Sequence, residues 1–530
     1  MTAPTTPRRV PGIPTRVAVI LLTVAFAFPG AYLVIRNFTL GSDPFGLLVD
    51  GQTLAPLWRT LTLAVTVSAV ATALGVGLAW LTSRTDLPGV QFWRVVLPLP
   101  LVFPTFVGAA AFIRTLNPGG LASDVVRAFG LEQTPELRGF TGAFIVLTVF
   151  TYPYVYLPVV ARLRRMPGSL EESARLLGDR PAQVFSRVVL PQAWTAIGAG
   201  GLLVFLYVIS DFGAVQLMRY DTLTRAIETN YLARPPVAFA MSLILVMLAA
   251  AVVTGERLLI GRHRSTATGR TSRPVHYRLG RSRVPALVAV GLVTSVGIVA
   301  PLVSMADWAW DGLRAGRSLT IDADDVVEAS VNTLESSVFA AVAAVIAVLP
   351  IAYLFGRHRS RLAGLSHGIV IATFALPGIL IALSLHFWTL QWDVVEGLRG
   401  TKPLLVFAYV VRFGSLAMGT VLVAVQTVPD RFHDAAATLG ASARRRLGTI
   451  DLPLMLPGLL AAAGLVLLST MKELPITLIV APFEYPTLTT RIFGSFEDAF
   501  VAEAGIMAIV LVALSAVLTW FLVLRRGEVG

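Results

Sequence analysis

The sequence predicts an all-α polytopic membrane protein of about 12 transmembrane helices in two parallel-repeat halves. Three observations carry this. Only 14% of the 530 residues are charged and the mean hydropathy is +0.74, whereas a soluble domain carries about 25% charged residues. Long apolar stretches recur along the chain. A series of short motifs in the first half returns in the second at nearly constant offsets.

A helix rises ~1.5 Å per residue, so about 20 apolar residues cross a hydrocarbon core of about 30 Å. On that length the spans fall near residues 17–37, 57–82, 94–115, 140–162, 193–216, 237–258, 284–308, 331–356, 366–390, 403–427, 456–481 and 500–524. The first follows Arg8, Arg9 and Arg16, yet it is long and lacks a small-x-small cleavage site, so it is expected to remain as a helix. Orientation follows from arginine placement. The connection after the sixth span holds Arg257, Arg262, Arg264, Arg270, Arg273, Arg278, Arg281 and Arg283, and the loop near 307–328 holds Asp307, Asp311, Asp322, Asp324, Asp325 and Glu328. Both termini are therefore expected in the cytoplasm. The net charge of +12 is assigned to topology and anionic headgroups, not to nucleic acid.

Composition also excludes chemistry. With no cysteine there is no disulfide framework, thiolate zinc site or iron–sulfur ligation. The lysines, Lys402 and Lys472, follow Thr401 and Met471, so the Gly-Lys-[Ser/Thr] of a phosphate-binding loop is missing. This chain is not expected to hydrolyse ATP itself. The histidines His263, His276, His358, His367, His386 and His433 are scattered, and no tight metal site is expected.

The repeat runs through most of the chain. Arg59-Thr60-Leu61 aligns with Asn332-Thr333-Leu334, and Pro104 with Pro377, at an offset of 273. Pro167 aligns with Pro429, Gly178 with Gly440 and Leu190-Pro191 with Leu452-Pro453, at an offset of 262. The expected organisation is a tail, first helix and outer loop (1–55), a first repeat (56–258), a basic linker (259–283), a seventh helix with an acidic outer loop (284–328), a second repeat (329–524) and a short tail (525–530). Halves with an even number of spans enter the membrane with the same polarity. A path at their interface is the expectation for such a duplication.

The strongest motif lies between the fourth and fifth spans of each half. It reads Glu172-Ser173-Ala174, Gly178, Val188, Leu190-Pro191 in one copy and Asp434-Ala435-Ala436, Gly440, Ile450, Leu452-Pro453 in the other. Acid and glycine are six residues apart in both copies, and glycine and proline thirteen. Ser169 with Glu172 has the spacing of a capping box, and Asp430 can cap the second copy. The small residues would allow close approach of another protein, and the glycines would supply a left-handed turn that ends a short helix. Arg180 and Arg187 follow in one copy, Arg444, Arg445 and Arg446 in the other.

This pattern resembles the EAA loop of ABC-importer permeases: Glu-Ala-Ala, three residues, Gly, nine residues, Ile-x-Leu-Pro. Ser173 and Val188 in the first copy and Asp434 in the second are mild departures. The resemblance covers nearly the whole chain and implies the type I ABC importer permease fold in a bacterial inner membrane. It implies that the two loops dock two copies of a cytoplasmic ATPase subunit, which uses ATP and Mg, so that this chain binds no cofactor. It further implies a periplasmic or lipid-anchored substrate-binding protein as partner, and transport by alternating access.

Two further segments are similar to those of fused iron(III) permeases. Ser210-Asp211-Phe212-Gly213 lies in the expected fifth span and Lys472-Glu473-Leu474-Pro475 in the eleventh, followed by Thr222-Leu223-Thr224 and Thr487-Leu488-Thr489. Related permeases serve thiamine, polyamines, phosphonates or molybdate-type anions. Asp211 and Glu473 are carboxylates at equivalent positions in or near a span, where charge is expensive. They suit a path for a trivalent cation. Equally, Glu473 could pair with Lys472 or Arg412, and Asp211 could cap a helix. Arg412 is a third candidate, facing Glu473 or snorkelling outward. A secondary transporter driven by an ion gradient is the competing class, but it would have no use for two EAA loops.

Overall fold

The computed structural model describes residues 13–39, 46, 50–116, 137–260, 275–314, 321–358 and 360–521. Most of the basic linker, both tails and the Asp430 side chain therefore lie outside the described residues. Among the described residues, ten helices are long and apolar enough to cross a membrane, or twelve if each of two sharply bent pairs is one span. The first to sixth spans are Ile13–Thr39, Gly51–Arg84, Val90–Val102 with Thr105–Leu116, Gly139–Arg165, Ala182–Ser210 and Pro235–Val252. The seventh to twelfth are Gly280–Trp310, Ala323–Arg357, Arg361–Ala375 with Gly378–Gln391, Lys402–Thr427, Leu447–Thr470 and Val501–Thr519.

The third and ninth spans are not the straight helices expected from hydropathy. They bend by 97° and 104°. The cause is local: Pro104 and Pro377 force the residue before them out of the helical region, and Phe103 (ψ 133) and Leu376 (ψ 116) are extended. The fifth and eleventh spans also stop earlier than expected, at Ser210 and Thr470, and two short helices follow at Gly213–Leu217 and Pro475–Val480. They start earlier too, because a π-helical turn (Phe185–Val189, Leu447–Asp451) precedes each Leu-Pro pair. Pro191 and Pro453 have no N–H to give to the turn before them, and a widened turn makes room for the ring.

The duplication is visible in hydrogen bonds. The Thr60 hydroxyl accepts from Leu223 N at 2.8 Å, and Thr333 accepts from Leu488 N at 2.9 Å. Thr222 with Thr224 (3.0 Å) matches Thr487 with Thr489 (3.1 Å).

Two compact units divide the chain: Asp43–Thr320 with Ile492–Ile509, and Ile321–Arg491 with Met1–Ser42 and Val510–Gly530. In the first, the second, fourth and fifth spans meet closely: a Cβ on Gly75 would lie 2.8 Å from the Val155 Cβ, and one on Gly200 2.7 Å from the Val155 Cα. Small residues of this kind let helices approach where lipid offers no hydrophobic drive for association. The seventh span belongs here. Its Ser304 hydroxyl donates to Ala111 O at 3.2 Å, and Gly297 lies against Pro100 and Val149. In the other unit the eighth and tenth spans pack through buried Ala340, Ala344, Ala408 and Ala417. The first span joins them: Thr23 bonds Ser366 at 2.8 Å, Tyr32 bonds Gln391 at 3.0 Å and Phe28 stacks edge-on against Trp388.

Candidate functional site: two repeated loops and two span breaks

The first loop helix runs Gly168–Leu176 and the second Asp430–Thr438. The capping box read from Ser169 and Glu172 does not form. Pro167, already extended (ψ 128), is the N-cap, no side chain caps the helix, and the acid of the first turn is Glu171. The helix begins two residues before the start that a Ser169 cap implies, and Glu171, not Glu172, is the acid that turns inward. Glu171 is fully buried while Glu172 is exposed, as is Asp434 in the second copy. The small residues divide in the same way: Ser173 and Ala435 are exposed, whereas Ala174 and Ala436 are buried.

Both helices end identically. Gly178 (φ +94) and Gly440 (φ +70) are left-handed. Asp179 N then reaches back to Ala174 O at 3.1 Å, and Ala441 N to Ala436 O at 2.9 Å, satisfying carbonyls that a helix end leaves open. Just before each glycine a leucine stands in the open: Leu177 is 88% exposed and Leu439 is 86% exposed. Downstream, Arg187 pairs with Asp179 at 3.2 Å. Pro191 and Pro453 sit in the first turn of the helices Leu190–Ser210 and Leu452–Thr470.

Sequence reasoning missed what anchors these loops. Arg84, at the end of the second span, donates from Nη2 to Leu163 O (2.9 Å) and Met166 O (3.4 Å), the last carbonyls before the first loop helix. Arg357 repeats this at the end of the eighth span, donating to Val425 O (2.9 Å) and Val428 O (2.6 Å). The offsets of 273 and 262 relate donors and acceptors in turn, so the signal was present in the alignment of the halves. Arg84 also faces Glu171 at 2.9 Å, with neither side chain exposed. Burial pushes the Glu171 carboxyl upward, and Arg84 opposes that shift.

The candidate pathway carboxylates sit at the span breaks. Asp211 is the residue after the fifth span, 7% exposed. One carboxylate oxygen accepts from the Thr105 hydroxyl at 2.5 Å, the other from Ala214 N at 3.0 Å, and the Asp211 carbonyl accepts from Thr224 at 2.6 Å. Glu473 follows the eleventh span, its carboxylate 3.5 Å from Ile476 N and its carbonyl accepting from Thr477 (2.7 Å) and Thr489 (3.3 Å). Each carboxylate therefore caps a short helix, where the dipole favours negative charge. Gly378 occupies the position of Thr105, and a Cβ there would run into the Glu473 carboxylate. Arg412 donates to Phe374 O (3.2 Å) and Leu376 O (2.5 Å), serving carbonyls freed at the Pro377 bend. Among the described residues no group of three His, Asp or Glu side chains is placed to hold a metal.

A family model described as the binding-protein-dependent transport system inner membrane component matches residues 12–265 and 348–526. The Fe(3+)-transport system permease protein FbpB 2 of Haemophilus influenzae is 28% identical over 520 residues, covering 96% of this chain and 98% of that protein. The inner membrane ABC transporter permease protein YdcU of Escherichia coli is 34% identical over 174 residues, 30% of this chain and 56% of that protein. The molybdenum transport system permease protein ModB of Mycobacterium bovis is 32% identical over 207 residues, 37% of this chain and 76% of that protein. With both halves matched, and with ten to twelve candidate spans among the described residues, this chain belongs to the family of binding-protein-dependent transport system inner membrane components, the permease subunits of ABC importers.

Proposed function

We propose that this permease imports iron(III), with two copies of a separate cytoplasmic ATPase subunit docked on the loops around Glu172 and Asp434. The observation that carries the docking is the doubled loop. Two short helices, each closed by a left-handed glycine, present an exposed acid, an exposed small residue and an exposed leucine at equivalent places. A leucine held in the open outside the spans is suited to a protein groove. Gly178, Gly440, Pro191 and Pro453 shape the loop; Glu172, Ser173, Asp434 and Ala435 form its outer face; Ala174 and Ala436 seat it. The arginine-rich connections support a cytoplasmic position for both termini and both loops. ATP and Mg act on the partner, and a substrate-binding protein delivers the cargo from the other side. Closure of the ATPases draws the loops together and opens the path outward, by alternating access.

Iron(III) as cargo rests on similarity over almost the full length to the fused FbpB 2 protein. The runner-up is a molybdate-type oxyanion, favoured by the shorter match to ModB. Asp211, Glu473 and Arg412 are the residues proposed to touch the path. Their capping and backbone bonds support a scaffold role at least as well.

The test is ferric-iron uptake by iron-starved cells lacking this chain, restored with wild type, Gly178→Val or Gly440→Val. A β-branched residue in a left-handed turn costs about 1–2 kcal/mol or more. Wild type should restore uptake, and both variants should reach the membrane yet fail. Full uptake by the variants would remove the loops from coupling. Uptake that never depended on the chain would remove iron and send the assay to molybdate.

A further inference from the structure

We propose that Tyr277, on the segment joining the two repeats, is a positioning residue that latches the first loop helix through Glu171, so that the two loop helices are held in different ways. The proposal rests on the reading of these helices as ATPase-docking elements.

The backbone of the joining segment is fixed first. Tyr277 N donates to Arg84 O at 2.7 Å, Asp86 N donates to Tyr277 O at 3.2 Å, and Leu279 N donates to the Asp86 carboxylate at 2.8 Å. Thr85 and Tyr277 thus form a short parallel bridge just past the second span. From there the Tyr277 side chain turns to the loop helix. Its hydroxyl donates to Glu171 Oε2 at 3.0 Å, and its ring lies 5.2 Å from Trp80 and 5.5 Å from the Arg175 guanidinium. The other Glu171 oxygen faces Arg84. Burial and the neighbouring Glu171 carboxylate push the phenol up to about 12, which keeps it a donor.

The second repeat keeps half of this device. Arg357 holds the equivalent carbonyls, but the residue equivalent to Glu171 is His433. His433 bonds Asp451 at 2.6 Å, within the π-helical turn of its own repeat. The arginine anchor is therefore inherited scaffold, while the tyrosine latch belongs to the first repeat. Its consequence is mechanical. A pull on the first loop helix acts on the fifth span through the chain, and through Tyr277 on the segment that leads into the seventh span at Gly280. Among the described residues, the second loop helix is tied through His433 to Asp451 of its own repeat.

The chain has no cysteine, so a single spin label at Ser173→Cys or Ala435→Cys reports one loop helix alone. In the full chain in lipid nanodiscs, Tyr277→Phe should loosen a label at 173 and leave one at 435 unchanged. In the unlabelled complex reconstituted with its ATPase and binding protein, the same variant should lower substrate imported per ATP several-fold. Glu171→Gln, which still accepts the phenol hydrogen bond, should fall less than Glu171→Leu. Unchanged mobility at 173, or unchanged import per ATP, would overturn the latch. Gly178→Val in the same assay separates the two ideas. If it uncouples and Tyr277→Phe does not, the latch fails alone; if neither uncouples, the docking reading fails with it.

Discussion

At the scale of single residues, the two repeats solve one steric problem twice. The carboxylate after the fifth span is short, and the facing Thr105 reaches it with a hydroxyl. The carboxylate after the eleventh is one methylene longer, and the facing Gly378 makes way for it. Acid length and facing volume have changed together. Gly378→Thr should then overpack the site by about 1–3 kcal/mol, lowering the melting temperature of the purified protein. Adding Glu473→Asp recreates the first-repeat pair and should restore most of it. A double variant no better than the single one would show that the two positions are independent. The acids were legible because they share an offset of 262 and stand out in an apolar sequence. Their partners were not, because threonine and glycine share no chemistry, and the offset of 273 that aligns them beside Pro104 and Pro377 does not say which side chain they face. Glu171 escaped for a different reason. Glu171 and Glu172 stand about 100° apart around the helix axis, so only one of them can face inward, and nothing but the Pro167 N-cap announces a helix that starts two residues before the Ser169 cap would start it.

At the scale of elements, hydropathy finds where the chain crosses but not where a crossing breaks. Pro104 and Pro377 were visible as repeat markers, and a proline does bias the residue before it out of the helix. Whether the span then kinks mildly or bends by 97° or 104° depends on who receives the freed backbone groups, and that is a tertiary matter. Inside a membrane such groups must be satisfied within the protein. In the ninth span Arg412 does this for Phe374 and Leu376. A charged residue that read as a pathway candidate is thus at work on the backbone. Arg412→Met leaves both carbonyls without that donor and should destabilise the protein by about 1–3 kcal/mol. The expected result is a lower melting temperature together with reduced uptake. Lost uptake with an unshifted melt would return Arg412 to the pathway. The loop helices were the most legible element of all. Their glycine, their spacing and the Leu-Pro pair are local requirements, so each copy spells them out.

At the scale of the whole molecule, chain order and packing part company. The first span packs on helices of the second repeat, through Thr23 with Ser366 and Phe28 with Trp388. The seventh packs on the first repeat, through Ser304 with Ala111. No periodicity announces this, since a lipid-facing helix and a helix docked some 340 residues away have the same apolar composition. Phe26 makes the exchange testable. It is 2% exposed, and its ring fills the space above Gly414 in the tenth span. Truncating a buried phenylalanine costs about 3–5 kcal/mol where the cavity cannot collapse. If the first span served only as a membrane anchor, Phe26→Ala would leave protease sensitivity even along the chain. Because it packs on the second repeat, the variant should instead open sites within 321–491 at protease levels that spare 43–320. Limited proteolysis in nanodiscs, with fragments assigned by mass, reads the difference directly. Cleavage that begins in 43–320 would show that the first span's packing on residues 321–491 contributes little to holding them.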